Sequence, residues 1–186
     1  MSTPAFYDEL RALRLERVLD ASVAIITEDG WDRLSMTRVA QRSGVPRQSL
    51  YKDVGTKSEL GEAVVHREVE RFLSGVGGAI SAHPESIEEG LGAAARFVLE
   101  YGETNAVLKA ILRPGHAPDL LELITVRPDS VLNRACQVVN DALDGGSEAM
   151  VESMVRLTIS HLLQPTVTID EAVDRIERTV RGFDAA

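Results

Sequence analysis

Two short polar stretches, Ser35–Arg42 and Arg47–Lys52, are separated only by Ser43-Gly44-Val45-Pro46, and that spacing leaves few ways to fold them. Each could make about two turns of helix, too little to be stable alone in water. They can persist only by packing on each other. Ser35 or Thr37 opens the first piece and Ser43-Gly44 closes it. Gly44 offers the positive φ that a tight turn after a helix requires. Pro46 stands at a helix start, where a missing N–H costs little. Val39, Ala40, Val45 and Leu50 are the apolar residues that would lock the two helices together, with Ala40 small where the helices approach closely. The outcome is a helix-turn-helix, whose second helix crosses the first and keeps a polar face outward. That face carries Arg47, Gln48, Ser49, Tyr51 and Lys52, all able to hydrogen-bond a base edge or a phosphate.

Charge is placed to match. The chain has 20 basic and 29 acidic residues, a net charge of −9 that looks wrong for a nucleic-acid binder. From Arg33 to Lys57, however, six basic residues stand against one acid, Asp53, giving +5 and leaving −14 on the remainder. Attraction to phosphate is local and screened within about 10 Å, so a short cationic segment on an acidic body suffices. Charge alone fits a solvated helix face almost as well.

The rest of the chain also reads as helix, about nine in all, with no convincing strand: an all-α fold. Leu10–Ile26 is followed by a stop at Gly30. Three later helices open on capping boxes, in which a Ser or Thr and a Glu three residues on satisfy each other's free N–H groups. Thr56-Lys57-Ser58-Glu59 begins one running to about Ser74, ahead of a loop around Gly77, Gly78 and Pro84. Ser86-Ile87-Glu88-Glu89 begins another to about Glu103, and Thr168-Ile169-Asp170-Glu171 the last, to about Phe183. Between them, shorter pieces are expected over 105–112, 118–125, 129–143 and 147–163, ending at Pro114-Gly115, Pro128, Gly145-Gly146 and Pro165.

At 186 residues the chain can hold a small helical domain and a second domain with its own core. No run approaches the roughly 18 apolar residues of a membrane span, and the first residues lack the basic and apolar regions of a signal peptide. The expectation is a soluble cytoplasmic protein. Its one cysteine, Cys136, cannot form an internal disulfide, and no Cys/His cluster suggests zinc. No cofactor and no enzymatic activity are expected. There is no nucleophile elbow and no phosphate-binding Gly loop, and Glu62 with His66 lacks a third metal ligand.

With these residues in view, the chain resembles the N-terminal domain of TetR-family regulators. The pattern runs through Ser35-Met36-Thr37-Arg38-Val39-Ala40-Gln41-Arg42-Ser43-Gly44-Val45-Pro46-Arg47-Gln48-Ser49-Leu50-Tyr51, then Lys57 and Leu60, preceded by Ala21, Ala24 and Gly30-Trp31. It covers about Leu10 to Val65. The resemblance implies a DNA-binding domain over 1–65, with the helix-turn-helix at about 34–53, and an effector-binding and dimerisation domain over 66–186. It implies that Ser35 caps the first helix and touches phosphate, and that Thr37, Arg47 and Gln48 face bases. Ser49, Tyr51 and Lys57 would hold phosphates, and Lys52 could do either. Chemically, Arg47 suits guanine O6/N7 and Gln48 adenine N6/N7. Three residues depart from the family pattern. Pro46 replaces a capping Ser or Thr, Asp53 a histidine or other polar residue, and Val54 an aromatic; a carboxylate at Asp53 would repel phosphate.

For the second half the resemblance implies a homodimer that releases operator DNA when a small effector binds. Met154, Thr158, His161 and Leu162 form one stripe, and Val173, Ile176 and Val180 another, on the two helices that would make the dimer interface. The same stripes could equally serve the chain's own core. Phe97, Tyr101, Leu112, Leu120, Ile124 and Cys136 are candidate liners of the effector pocket, with Arg96 and His116 as polar candidates. A helical small-molecule-binding bundle that never touches DNA is the alternative, and it must treat the +5 segment as accidental.

Overall fold

The computed structural model describes residues 3–105, 108–109 and 128–184. Among them the chain forms eight α-helices and one 3-10 turn, and no strand. The helices are α1 (Thr3–Asp29), α2 (Met36–Ser43), α3 (Arg47–Val54), α4 (Lys57–Ser81), α5 (Ile87–Thr104), α6 (Pro128–Ala142), α7 (Glu148–Leu163) and α8 (Ile169–Asp184). The 3-10 turn, Trp31–Arg33, follows Gly30. The pieces expected over 105–112 and 118–125 fall almost wholly outside the described residues.

The described residues divide into two compact units: 3–68 with 108–109, and 69–105 with 128–184. The first holds α1 to α3 and the start of α4. Its core is Val18, Ile25 and Ile26 from α1, Leu34, Val39, Val45 and Leu50 from the helix-turn-helix region, and Leu60 and Val64 from α4. Two caps set its helix boundaries. Ser35 Oγ accepts the Arg38 N–H at 3.3 Å. Thr56 and Glu59 bond reciprocally, Thr56 N–H to the Glu59 carboxylate at 2.8 Å and Glu59 N–H to Thr56 Oγ1 at 3.3 Å. The Thr56 N–H and, after it, the Thr56 hydroxyl, both donating to the carboxylate, hold the Glu59 carboxyl below its ordinary pKa.

The second unit packs the end of α4 with α5 to α8. Val76 and Ile80, Leu91, Ala94 and Ala95, Val139, Met150, Val151 and Met154, and Ile176 and Val180 form one buried cluster. The Thr168–Glu171 box closes in both directions, at 3.0 and 3.3 Å. At Ser86 only half a box forms: its Oγ accepts the Glu89 N–H at 3.2 Å, while the Glu89 carboxylate lies 3.5 Å from His83 Nδ1.

Two boundaries differ markedly from expectation: α1 begins at Thr3 rather than Leu10, and α4 ends late. α4 does not stop near Ser74 but continues through Gly75, Gly77 and Gly78 to Ser81. Each glycine costs a helix about 1 kcal/mol relative to alanine, yet here packing overrides that preference. A methyl group on Gly75 would overlap the Phe97 ring, so the missing side chain admits α5 against α4.

Candidate nucleic-acid interface

The helix-turn-helix lies within the first unit. α2 ends on Gly44, which takes the left-handed conformation at φ 67°, ψ 16°. Arg17 of α1 reaches across to donate from Nη2 to the Ser43 carbonyl at 2.6 Å, covering an end that has no helical partner. Ser43 Oγ in turn accepts the Val45 N–H at 3.2 Å. α3 then begins on Pro46, which supplies no side-chain cap, as the residue type requires. Its anchor is Leu50, 0% exposed.

Around that anchor the predicted readers are distributed unevenly. Arg47, Gln48, Tyr51 and Lys52 are exposed, as is Thr37 on α2. Ser49 and Ser35 are half-buried. Arg47 stacks its guanidinium over the Tyr51 ring, 5.6 Å from the centroid, and donates to the Tyr51 hydroxyl at 3.3 Å. The two are one turn apart on α3, so the contact holds the arginine along the exposed face. Lys57 is placed differently from a freely solvated lysine. Its Nζ lies 5.0 Å over the Trp31 ring and 3.4 Å from the Trp31 carbonyl oxygen, pinning the start of α4 to the 3-10 turn.

The charge of the segment is also less uniform than its count. Arg38 is paired with Asp29, and Arg42 with Glu28, two acids just outside the counted segment. The Arg42 hydrogen bond holds the Glu28 carboxyl below the usual carboxylate range. Among the described residues, Arg33, Arg47 and Lys52 have no acidic partner. The segment's cationic surface therefore concentrates on α3, not on α2, while Arg33 in the 3-10 turn stands next to the exposed Asp32. Asp53 does not present its carboxylate outward as its position in the sequence suggested. It is turned inward, 3.2 Å from Arg14 Nε and 3.4 Å from Arg11 Nε, both on α1. Sequence reasoning passed over Arg11, Arg14 and Arg17. The one available signal was their spacing on α1, and it says nothing of partners 26 to 42 residues away (Arg17 to Ser43, Arg11 to Asp53).

In the second unit, the residues expected at a dimer interface serve the chain's own interior. Met154, Thr158, His161, Val173, Ile176 and Val180 are buried within the chain, and Leu162 is half-buried. Leu163 and Phe183 are the exposed large apolar residues of α7 and α8. Of the pocket candidates, Phe97, Tyr101 and Cys136 are half-buried, while Leu112, Leu120, Ile124 and His116 lie outside the described residues. Phe97 and Tyr101 cluster with Phe72, ring centroids 5.1 to 6.0 Å apart. Burial pushes the Cys136 thiol pKa up, which keeps it a small neutral core group. Arg96 is a surface residue paired with Asp170 at 2.7 Å.

A helix-turn-helix with an exposed cationic second helix, on a chain whose other described residues are mostly helical, defines a DNA-binding transcriptional regulator. Residues 18–64 match the family model described as bacterial regulatory proteins, tetR family, and residues 86–181 match that of the bacterial tetracyclin repressor, C-terminal domain. The chain belongs to the TetR family. The HTH-type transcriptional regulator AlkX of Mycobacterium tuberculosis is 22% identical over 98% of this chain and 95% of its own. Among solved structures, the TetR family repressor AlkX of Dietzia sp. is 23% identical with a TM-score of 0.67, covering 92% of this chain and 96% of its own. The fatty acid degradation regulator FadR of Bacillus halodurans shares the fold at 13% identity and a TM-score of 0.54, covering 90% of this chain and 97% of its own. No helix among the described residues is long and apolar enough to cross a membrane.

Proposed function

We propose that the chain is a homodimeric repressor that reads a palindromic operator with the first turns of α3 and leaves it when a small effector binds the second unit. The observation that carries this reading is the pairing of a fully buried Leu50 with exposed Arg47 and Gln48 on the same two-turn helix. A helix so anchored presents a fixed polar edge of the size the major groove accepts. Arg47 would read guanine and Gln48 adenine, with Thr37 beside them. Ser35, Ser49, Tyr51 and Lys57 would hold phosphates, and Lys52 either group. Two-fold symmetry would set the half-sites about 34–36 Å apart, or a multiple of that.

The dimer contact would use the outer faces of α7 and α8, because their inner stripes are already covered. The effector would enter near Phe97, Tyr101 and Cys136. α4 supplies the physical link, since one unbroken helix carries residues of both units. Release by ligand requires reciprocity: operator must weaken effector binding by the factor by which effector weakens operator binding. The AlkX protein of Dietzia, described as implicated in biodegradation of n-alkanes, suggests apolar effectors as the first to try.

Two substitutions test the division of roles on α3 and α4. Arg47→Ala should relax preference at one base position and cost about 1–3 kcal/mol there, read by binding to a panel of single-base operator variants. Lys57→Ala should weaken every duplex alike and lower the slope of log affinity against log salt by about one. Equal, sequence-blind losses in both variants would reject the assignment of base reading to Arg47.

A further inference from the structure

Asp53 sits on the exposed helix of a DNA-reading motif, next to Lys52, yet its side chain is only 7% exposed. What covers it is a pair of arginines from α1. Arg11 and Arg14 lie three residues apart on one face of that helix, and both meet the carboxylate through Nε. They remain open to solvent, at 60% and 43% exposure. An arginine engaged through Nε keeps terminal N–H donors for another acceptor, and a guanidinium fork matches phosphate oxygens in pairs. One acid between two arginines also leaves the group with a net positive charge. A single carboxylate thus fixes two cations beside the end of α3, converting a repulsive position into an attractive one. Arg11 and Arg14 both precede the matched family stretch, which begins at residue 18, although Asp53 lies within it.

We propose that Arg11 and Arg14, held by Asp53, form a phosphate-binding clamp that extends the DNA-contacting surface from α3 onto α1. The clamp is sequence-blind: it grips the backbone of the duplex and adds affinity and register without reading bases. It rests on the proposed DNA-binding function and assigns that function two residues outside the helix-turn-helix. Asp53 acts as a positioning residue, orienting both side chains so that little side-chain freedom is lost when phosphate arrives.

The test measures binding of the full chain to a random-sequence 30-base-pair duplex across a salt series, and to a duplex selected by the wild-type protein. Arg11→Ala and Arg14→Ala should each lower the salt slope on the random duplex by about one, and their base preference on variants of the selected duplex should match wild type. Arg11→Lys should restore the slope, because it keeps the charge. Thermal unfolding is followed in parallel, and Arg11, the more exposed of the two, provides a variant that folds should Arg14→Ala not. Unchanged slopes in folded alanine variants of a protein that binds DNA would overturn the clamp and leave the proposed function intact. Absence of salt-dependent DNA binding by the wild type would overturn both.

Discussion

Leu50→Ala is expected to destabilise the DNA-reading unit by about 2–5 kcal/mol, the range for emptying a well-packed leucine site. Leu50 is 0% exposed and is the buried residue of α3, a helix of 8 residues that cannot hold its shape unaided. The chain's one tryptophan makes the effect separable. Trp31 lies in the first unit, packed against Gly61 and under Lys57, so its fluorescence reports that unit's unfolding. In urea its transition should move down by roughly 1–2 M, given slopes of about 1–3 kcal/mol per molar for small domains. Sequence-preferring DNA binding should vanish with it. A variant with the wild-type tryptophan transition and wild-type binding would mean that α3 is not anchored through Leu50.

The second large effect is expected at the turn. Gly44→Val places a β-branched residue at φ 67°, a region such residues avoid, at a cost of about 1–3 kcal/mol. Its Cβ would also stand 3.0 Å from Arg17 Nη2, tighter than ordinary packing allows. The guanidinium that covers the Ser43 carbonyl must then shift, and a buried helix end loses its charged donor. Arg17→Ala removes that donor without straining the backbone, so it should show the smaller loss of thermal stability. Gly44→Val should exceed it and should also release DNA, because the turn sets the crossing of α2 and α3. If both variants melt like wild type, the turn does not need a left-handed residue.

Local chemistry explains which parts of this structure could be read from the chain. The turn at Gly44, the Ser35 cap and the boxes at Thr56 and Thr168 are rules between residues at most four apart, and the structure shows Gly44 left-handed and the hydrogen bond of each cap. What could not be read depends on distant partners. Gly75, Gly77 and Gly78 look like a loop until Phe97 is seen lying against the first of them. Asp53 looks repulsive until Arg11 and Arg14 are placed beside it. The stripes of α7 and α8 have the period of any buried helical face, and the period cannot tell a partner subunit from the chain's own α5. Burial of Met154, Ile176 and Val180 within one chain shows that the interior uses them. In each case the sequence carried the residue type, and the tertiary neighbour decided its role.

The central claim is that α3 reads DNA sequence, and selection from a pool of random duplexes tests it most directly. Wild-type protein should enrich a motif of two inverted half-sites about one helical turn apart, or a multiple of that. Arg47→Ala, selected in parallel, should enrich the same motif with one position per half-site relaxed. A wild-type pool with no enriched motif after repeated rounds, from protein that is folded by its tryptophan transition, would contradict the account.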